Sequence, residues 1–91
     1  MNETIYTNQN TFVDVRTSVE FNSGHFPGAI NIPLDQIPKR WEEIKNAKTP
    51  IIVYCLSGGR SEQAMRFLQE KGINDIINGG AYQQVLINFK K

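Results

Sequence analysis

The only cysteine of the chain, Cys55, ends an apolar run and is followed within a few residues by Gly58 and Gly59. Glycines permit positive φ angles, which let successive backbone N–H groups turn toward one point. A helix predicted to begin near Ser61 adds the positive end of its dipole, and Arg60 adds a full charge. All these features stabilise negative charge, so the pattern predicts a Cys55 thiolate with a lowered pKa.

A structural role for Cys55 is the alternative. In that interpretation the residue is a small buried apolar side chain, and the glycines only close a tight turn. A single cysteine cannot form an internal disulfide or supply a metal cage, so we expect no metal site. Thiol oxidoreductase chemistry is also disfavoured, because no second cysteine can resolve a disulfide. We favour a working thiol, since packing alone does not explain a cysteine among anion-stabilising groups.

Composition limits the other classes of function. The 91 residues, 40% of them hydrophobic, predict one compact domain over 1–91 with no room for a cofactor domain. Ten basic and nine acidic residues give a formal charge of +1 and form no block, which disfavours nucleic acid as a partner.

The longest apolar run, Ile51 to Leu56, is far short of the ~20 residues of a membrane span. Because residues 1–10 lack the apolar core of a signal peptide, we expect a cytoplasmic protein.

Four strands are predicted around Cys55, and Ile51 to Tyr54 is the clearest because it is β-branched and almost entirely apolar. The other three are Phe12 to Val15, Ala29 to Ile32, and Ile73 to Ile77, the last of which we expect to be broken by Asn78-Gly79-Gly80.

Helices are predicted between these strands. Thr17 and Glu20 form a plausible capping box for a brief helix. A second helix is predicted from Asp35 with Pro38 in its first turn, a third over Ser61 to Lys71, and a fourth over Ala81 to Phe89. The inward residues expected on these helices are Ile37, Trp41, Ile44, Ala64, Phe67, Leu68, Tyr82, Val85, Leu86 and Phe89.

Strands that alternate with helices predict an α/β fold, with a mainly parallel central sheet flanked by helices on both faces. Ligands of such sheets bind beyond the carboxyl ends of the strands. Cys55 follows its strand at such a point.

The chain resembles the rhodanese-like sulfurtransferases. The resemblance runs from about Phe12 to the C-terminus and is carried by several short motifs together. These are Asp14-Val15-Arg16, Glu20-Phe21, Gly24 to Pro33, Ile51 to Ser61, and Gly79-Gly80.

The resemblance implies that Cys55 is a sulfur-carrying nucleophile and that the loop from Cys55 to Arg60 is the active-site loop. We expect Arg60 to be a catalytic residue as well, because it adds a full positive charge beside the sulfur. A donor such as thiosulfate would place sulfane sulfur on Cys55 as a persulfide, and a thiol or cyanide would remove it. A protein acceptor of sulfur is a further option, and no cofactor is implied. The remaining loop residues expected to contact substrate are Leu56, Ser57, Gly58, Gly59 and Ser61.

Two alternatives within the same fold stay open. A six-residue loop from cysteine to arginine is typical of sulfur transfer, whereas the related dual-specificity phosphatases have seven residues, because a wider ring of amides is needed around phosphate or arsenate. The loop length therefore disfavours a phosphatase or arsenate reductase. A binding module without catalysis is disfavoured by the intact cysteine, glycines and arginine.

The chain departs from the family in two places. Many members have a helix before the first strand, whereas this chain has only residues 1–11 there. Leu56 occupies a loop position that is often basic in thiosulfate enzymes, and an apolar side chain there removes a charge that would attract the dianion.

Four further residues are candidates for supporting roles. We expect Asp14, Arg16 and Glu20 to form an ion network at the sheet edge, with orientation of the active-site loop as the alternative. His25 lies in a stretch that resembles a mainly structural family signature. We therefore expect it to fix a loop by a hydrogen bond rather than to act as a base.

Overall fold

The computed structural model describes residues 10–89, which contain one parallel sheet. Its strands are β1 (Thr11–Asp14), β2 (Ile30–Asn31), β3 (Ile51–Cys55) and β4 (Ile76–Ala81). They lie in the order β2-β1-β3-β4, and every neighbouring pair is parallel. The predicted α/β class with a parallel central sheet is confirmed.

Helices connect and follow these strands. They are α1 (Ser18–Asn22), α2 (Ile37–Arg40), α3 (Gly59–Glu70) and α4 (Tyr82–Asn88), with 3₁₀ turns at Leu34–Gln36 and Trp41–Glu43. None of the helices described is long and apolar enough to cross a bilayer.

The predicted helix after Asp35 is divided into a 3₁₀ turn, α2 and a second 3₁₀ turn. Arg40 interrupts the helical path with φ −118° and ψ 2°. Pro38 lies in the first turn of α2, as predicted. Ile37 and Ile44 are still buried, because 3₁₀ turns keep side chains three residues apart on one side.

The sheet separates two apolar clusters. Val13, Val53 and Cys55 contribute to the cluster on the α3 face, which Ala64 and Leu68 complete. The cluster on the α4 face contains Phe12, Phe26, Ile52, Tyr54 and Val85. Alternate residues of the fully buried β3 thus point into opposite clusters, so helices cover both faces of the sheet.

The predicted inward faces of the helices are largely confirmed. Trp41 and Phe67 pack against the first cluster, and Tyr82 and Phe89 pack against the second. Leu86 is the exception, because it is 41% exposed. The short α4 buries only a narrow face around Val85.

The prediction for the last strand was wrong at both ends. β4 begins at Ile76 and continues through the three residues expected to break it. Val53 pairs with Asn78 and Tyr54 pairs with Gly80, so the register skips Gly79. A Cβ at Gly79 would lie 2.8 Å from Ile52 Cγ2, and this close approach explains why the strand passes here with glycine.

Candidate active site

Cys55 lies at the carboxyl end of β3, and the loop that follows it leads directly into α3. The neighbouring parallel strands β1 and β4 bring Asp14 and Asn78 to the same end of the sheet. This is the position at which ligands bind in sheets of this kind.

Donors from the loop and from the first turn of α3 surround the Cys55 sulfur. The Gly58 N–H donates to Sγ at 2.9 Å, and the Ser61 N–H donates to it at 3.4 Å. The thiol in turn donates to the Ser61 hydroxyl oxygen over 3.5 Å. Gly58 has φ +104°, a conformation that L side chains rarely adopt. The predicted ring of amides around the sulfur is therefore present.

The environment of Cys55 has opposing effects on its pKa. Burial raises the pKa of the thiol, since the residue is 1% exposed. The Ser61 hydroxyl, followed by the amides of Ser61, Gly58 and Ser57, lowers it by more. The pKa of Cys55 consequently lies below its ordinary value, which favours the thiolate form.

Gly59 differs from the prediction for the two loop glycines. It is the first residue of α3 and does not have a positive φ. The helix begins two residues before Ser61, which places the amides of its first turn beside the sulfur. Only Gly58 therefore needs the conformational freedom of glycine in this loop.

Arg60 binds a carboxylate. Its Nη1 and Nη2 donate to Glu20 Oε1 and Oε2 at 2.9 and 3.1 Å. These hydrogen bonds raise the pKa of Arg60, burial lowers it by less, and the charges of Glu20 and of an ionised Cys55 contribute to the rise. The guanidinium of Arg60 is thus held by Glu20, and its interaction with an ionised Cys55 is electrostatic.

Glu20 therefore makes its direct ion pair with Arg60, and its charge also adds to the rise that Asp14 causes in the pKa of Arg16. Besides Arg60, it accepts hydrogen bonds from the Thr17 N–H and hydroxyl in the predicted capping box. Hydrogen bonds from Arg60, followed by that of the Thr17 amide, lower the pKa of Glu20 from 4.5 to about 2. The alternative that Glu20 orients the active-site loop fits this geometry.

The Glu20–Arg60 pair predicts a specific pH dependence of stability. Because the pKa of Glu20 is lowered in the folded state, its contribution is present above pH 4.5 and is lost as the pH falls toward about 2. Glu20→Gln keeps the size and one acceptor oxygen, but it removes the charge and replaces the second acceptor of the Arg60 guanidinium with an N–H donor. We expect it to lower the free energy of unfolding by about 1 kcal/mol at pH 7, as for a partly exposed pair, and not at pH 2.

Urea unfolding of both proteins at pH 7, 4 and 2 measures this difference. Convergence of the two free energies of unfolding at pH 2 is the expected result. An equal difference at all three values would show that the charge of Glu20 does not stabilise the fold.

Asp14 and Arg16 form a separate, buried ion pair. Arg16 Nη2 lies 2.7 Å from Asp14 Oδ2, and it also donates to the Gly24 carbonyl at 2.7 Å. The guanidinium carbon lies 4.4 Å from the ring centre of Tyr82. Asp14 is the last residue of β1, so the pair lies at the carboxyl end of this inner strand. It links β1 to the loop after α1.

His25 makes the structural contacts expected of it. Its Nδ1 lies 2.8 Å from the Phe21 carbonyl oxygen, and its ring stacks on Phe21 with centroids 3.6 Å apart. These contacts attach the loop to α1.

Asn78 was missed as a site residue, because the sequence interpretation placed it in a strand break. Its Oδ1 accepts hydrogen bonds from the Ser61 hydroxyl at 2.7 Å and from the Gly80 N–H at 2.9 Å. A usable signal existed: the polar Asn78 follows two isoleucines near the carboxyl end of a strand, where site residues concentrate.

Leu56 and Ser57 of the loop are exposed, with Leu56 55% exposed. A cleft of about 290 Å³ opens beside Arg60, and Val15, Thr17 and Leu34 are among its lining residues. Arg60 of the active-site loop lines this cleft, whereas Cys55 does not. Within residues 10–89, no cluster of histidine, cysteine or acidic side chains could hold a metal ion.

The family model of the rhodanese-like domain matches residues 2–84 of the chain. The chain belongs to the rhodanese-like domain family. This rhodanese-like domain is 38% identical over 66 residues to a protein named Sulfurtransferase from Allochromatium vinosum. The matched part is 72% of this chain and 61% of that protein, so the chain spans less than two thirds of this relative.

Solved structures agree with this assignment. The rhodanese-like domain superposes on a rhodanese with anions from E. coli with a TM-score of 0.74 at 32% identity, covering 81% of this chain and 88% of that one. A human single domain sulfurtransferase, TSTD1, gives a TM-score of 0.69 at 26% identity, covering 91% and 86%. The resemblance found in the sequence and the fold class are confirmed.

Proposed function

We propose that this rhodanese-like domain, acting as a single domain, is a sulfurtransferase that carries sulfane sulfur as a persulfide on Cys55. The observation that carries the proposal is the ring of donors around the sulfur, in which Gly58 N–H lies 2.9 Å from Sγ. The same donors that favour a thiolate favour a persulfide anion, and the relative named Sulfurtransferase supports this reaction class.

The reaction has two balanced steps. The Cys55 thiolate attacks the outer sulfur of thiosulfate, a sulfur–sulfur bond forms to Cys55, and the original sulfur–sulfur bond breaks with its electron pair to release sulfite. An acceptor thiolate or cyanide then attacks the outer sulfur of the persulfide. It leaves with that sulfur as a new persulfide or as thiocyanate, and the Cys55 thiolate is regenerated.

The residues beside Cys55 have distinct roles in this scheme. The Gly58 and Ser61 amides stabilise the sulfur anion, and Arg60 supplies positive charge from the position fixed by Glu20. A reducing compartment such as the cytosol keeps a single thiol free, so we propose a cytoplasmic location.

Leu56 affects the relative efficiency of sulfur transfer from different donors. We expect Leu56→Lys to raise kcat/KM for thiosulfate about 5-fold, because an exposed cation attracts the dianion and about 1 kcal/mol is gained. The gain should fall as ionic strength rises. Initial rates with cysteine persulfide should change little, because this donor carries less charge. Leu56→Gln is the control, since it is polar without charge.

The same assay tests the function itself. Transfer of sulfur to cyanide or to a small thiol is measured with thiosulfate and with cysteine persulfide as donors. Transfer from at least one donor is expected. If neither donor supports it with folded protein and a free thiol, the domain is a binding module instead.

A further inference from the structure

Asn78 connects β4 to the helix that covers the active-site sulfur. Its Oδ1 accepts hydrogen bonds from the Ser61 hydroxyl and the Gly80 N–H at 2.7 and 2.9 Å. Its Nδ2 donates to the Gly58 carbonyl at 3.4 Å and to Glu62 Oε1 at 3.2 Å. One side chain thus contacts the loop, the first turn of α3 and its own strand.

These partners fix the orientation of the Asn78 amide. The Gly80 N–H can only donate, so it requires the amide oxygen, whereas the Glu62 carboxylate and the Gly58 carbonyl require the amide nitrogen. Asn78 therefore presents an acceptor to the Ser61 hydroxyl.

The Ser61 hydroxyl has one proton and three neighbouring acceptors. These are Asn78 Oδ1 at 2.7 Å, the Gly58 carbonyl at 3.0 Å and the Cys55 sulfur at 3.5 Å. The Gly58 carbonyl already accepts the Glu62 N–H at 3.1 Å. Asn78 Oδ1 is the nearest acceptor, so the hydroxyl proton of Ser61 points toward it. The hydroxyl oxygen can then accept a hydrogen bond from the Cys55 thiol.

An anionic sulfur reverses this preference. A thiolate or persulfide has no proton to donate and is a strong acceptor, so rotation of the Ser61 hydroxyl toward it forms a charge-assisted hydrogen bond. Asn78 Oδ1 still accepts the Gly80 N–H after this rotation, so no buried acceptor is left without a donor.

We propose that Asn78 is a positioning residue that competes with the Cys55 sulfur for the Ser61 hydroxyl proton. The Ser61 hydroxyl donates its hydrogen bond to Asn78 while Cys55 is a thiol. It donates to the sulfur instead when the sulfur is an anion. The relevance of this competition to turnover rests on the proposed function. The competition itself concerns the resting thiol and needs no sulfur donor.

The charged side chains around Asn78 and Ser61 keep their ionisation state when the Ser61 hydroxyl changes its acceptor. Arg60, whose charge interacts with an ionised Cys55, is paired with Glu20. Glu62 is held by Arg66 at 3.0 Å, and the hydrogen bonds from Arg66 and then Asn78 lower its pKa. Both carboxylates therefore remain ionised at neutral pH.

Titration of the Cys55 thiolate by its ultraviolet absorbance tests the proposal. Cys55 is the only cysteine, and subtraction of the Cys55→Ser signal removes the tyrosine background. We expect Asn78→Ala to lower the titration midpoint by about half a unit, because the hydroxyl is released to the sulfur. Ser61→Ala should raise it by about one unit, since it removes the donor.

The double variant Ser61→Ala/Asn78→Ala should titrate like Ser61→Ala alone, because the effect of Asn78 passes through that hydroxyl. Asn78→Asp keeps the acceptor and adds negative charge, so it should raise the midpoint. Asn78→Leu, which is similar in size, replaces the alanine variant if circular dichroism shows that the latter does not fold.

A residue that only supports the loop would behave differently. If Asn78→Ala raises the midpoint or leaves it unchanged, or if its effect persists without the Ser61 hydroxyl, the proposal is overturned. If the titrations agree with it but no donor forms a persulfide, the positioning role stands and the proposed sulfur transfer fails.

Discussion

Cys55→Ser is expected to reduce sulfur transfer to the uncatalysed background, because the hydroxyl is a poor nucleophile at neutral pH and cannot carry sulfane sulfur. The fold should persist. Serine is slightly smaller than cysteine, and its hydroxyl can accept the Gly58 N–H that now points at Sγ from 2.9 Å. We therefore expect a change in the free energy of unfolding below about 1 kcal/mol. Transfer rates with both donors and urea unfolding measure the two effects.

Cys55→Ala is the companion variant, since it removes the sulfur without adding a hydroxyl to the ring of donors. Both variants should be inactive. Transfer by either one at close to the wild-type rate would show that another group carries the sulfur.

Gly58→Val is expected to lower sulfur transfer by about 100-fold. The φ of +104° at Gly58 is unfavourable for a β-branched side chain, so the loop must take another path and its N–H moves away from the sulfur. Loss of one such donor typically costs this much in rate. The thiolate should also titrate at higher pH, because an amide that stabilised it is withdrawn.

Gly59→Val is the matched control for this prediction. Gly59 is exposed and is the first residue of α3, and a Cβ placed on it meets no atom within 4 Å. Its transfer rate should stay within a few-fold of wild type. Equal losses in the two variants would mean that the positive φ of Gly58 does not form the site.

The parts of the fold that could be predicted depend on residues close together in the sequence. The β-branched run in β3, the Thr17 capping box and the placement of Pro38 in the first turn of α2 are local features with local causes. The position of Cys55 between strand and helix followed from them, and so did the ring of amides.

The parts that could not be predicted depend on contacts between distant residues. Glu20 and Arg60 are 40 residues apart, and their pairing requires α1 to lie beside the active-site loop. β4 can continue at position 79 because the residue there is glycine, since Ile52 leaves no room for a Cβ. This restriction comes from the neighbouring strand. The contact of Asn78 with Ser61 depends on that same strand.

The mass of the intact protein after brief treatment with a sulfur donor shows whether Cys55 carries sulfur. Folded wild-type protein is treated with thiosulfate or with cysteine persulfide, freed of excess donor and measured without reductant. We predict a gain of one sulfur atom located on Cys55, its loss on addition of cyanide, and no gain in Cys55→Ser. If a folded protein with a free Cys55 thiol gains no sulfur from either donor, or gains it on another residue, Cys55 is not the sulfur carrier.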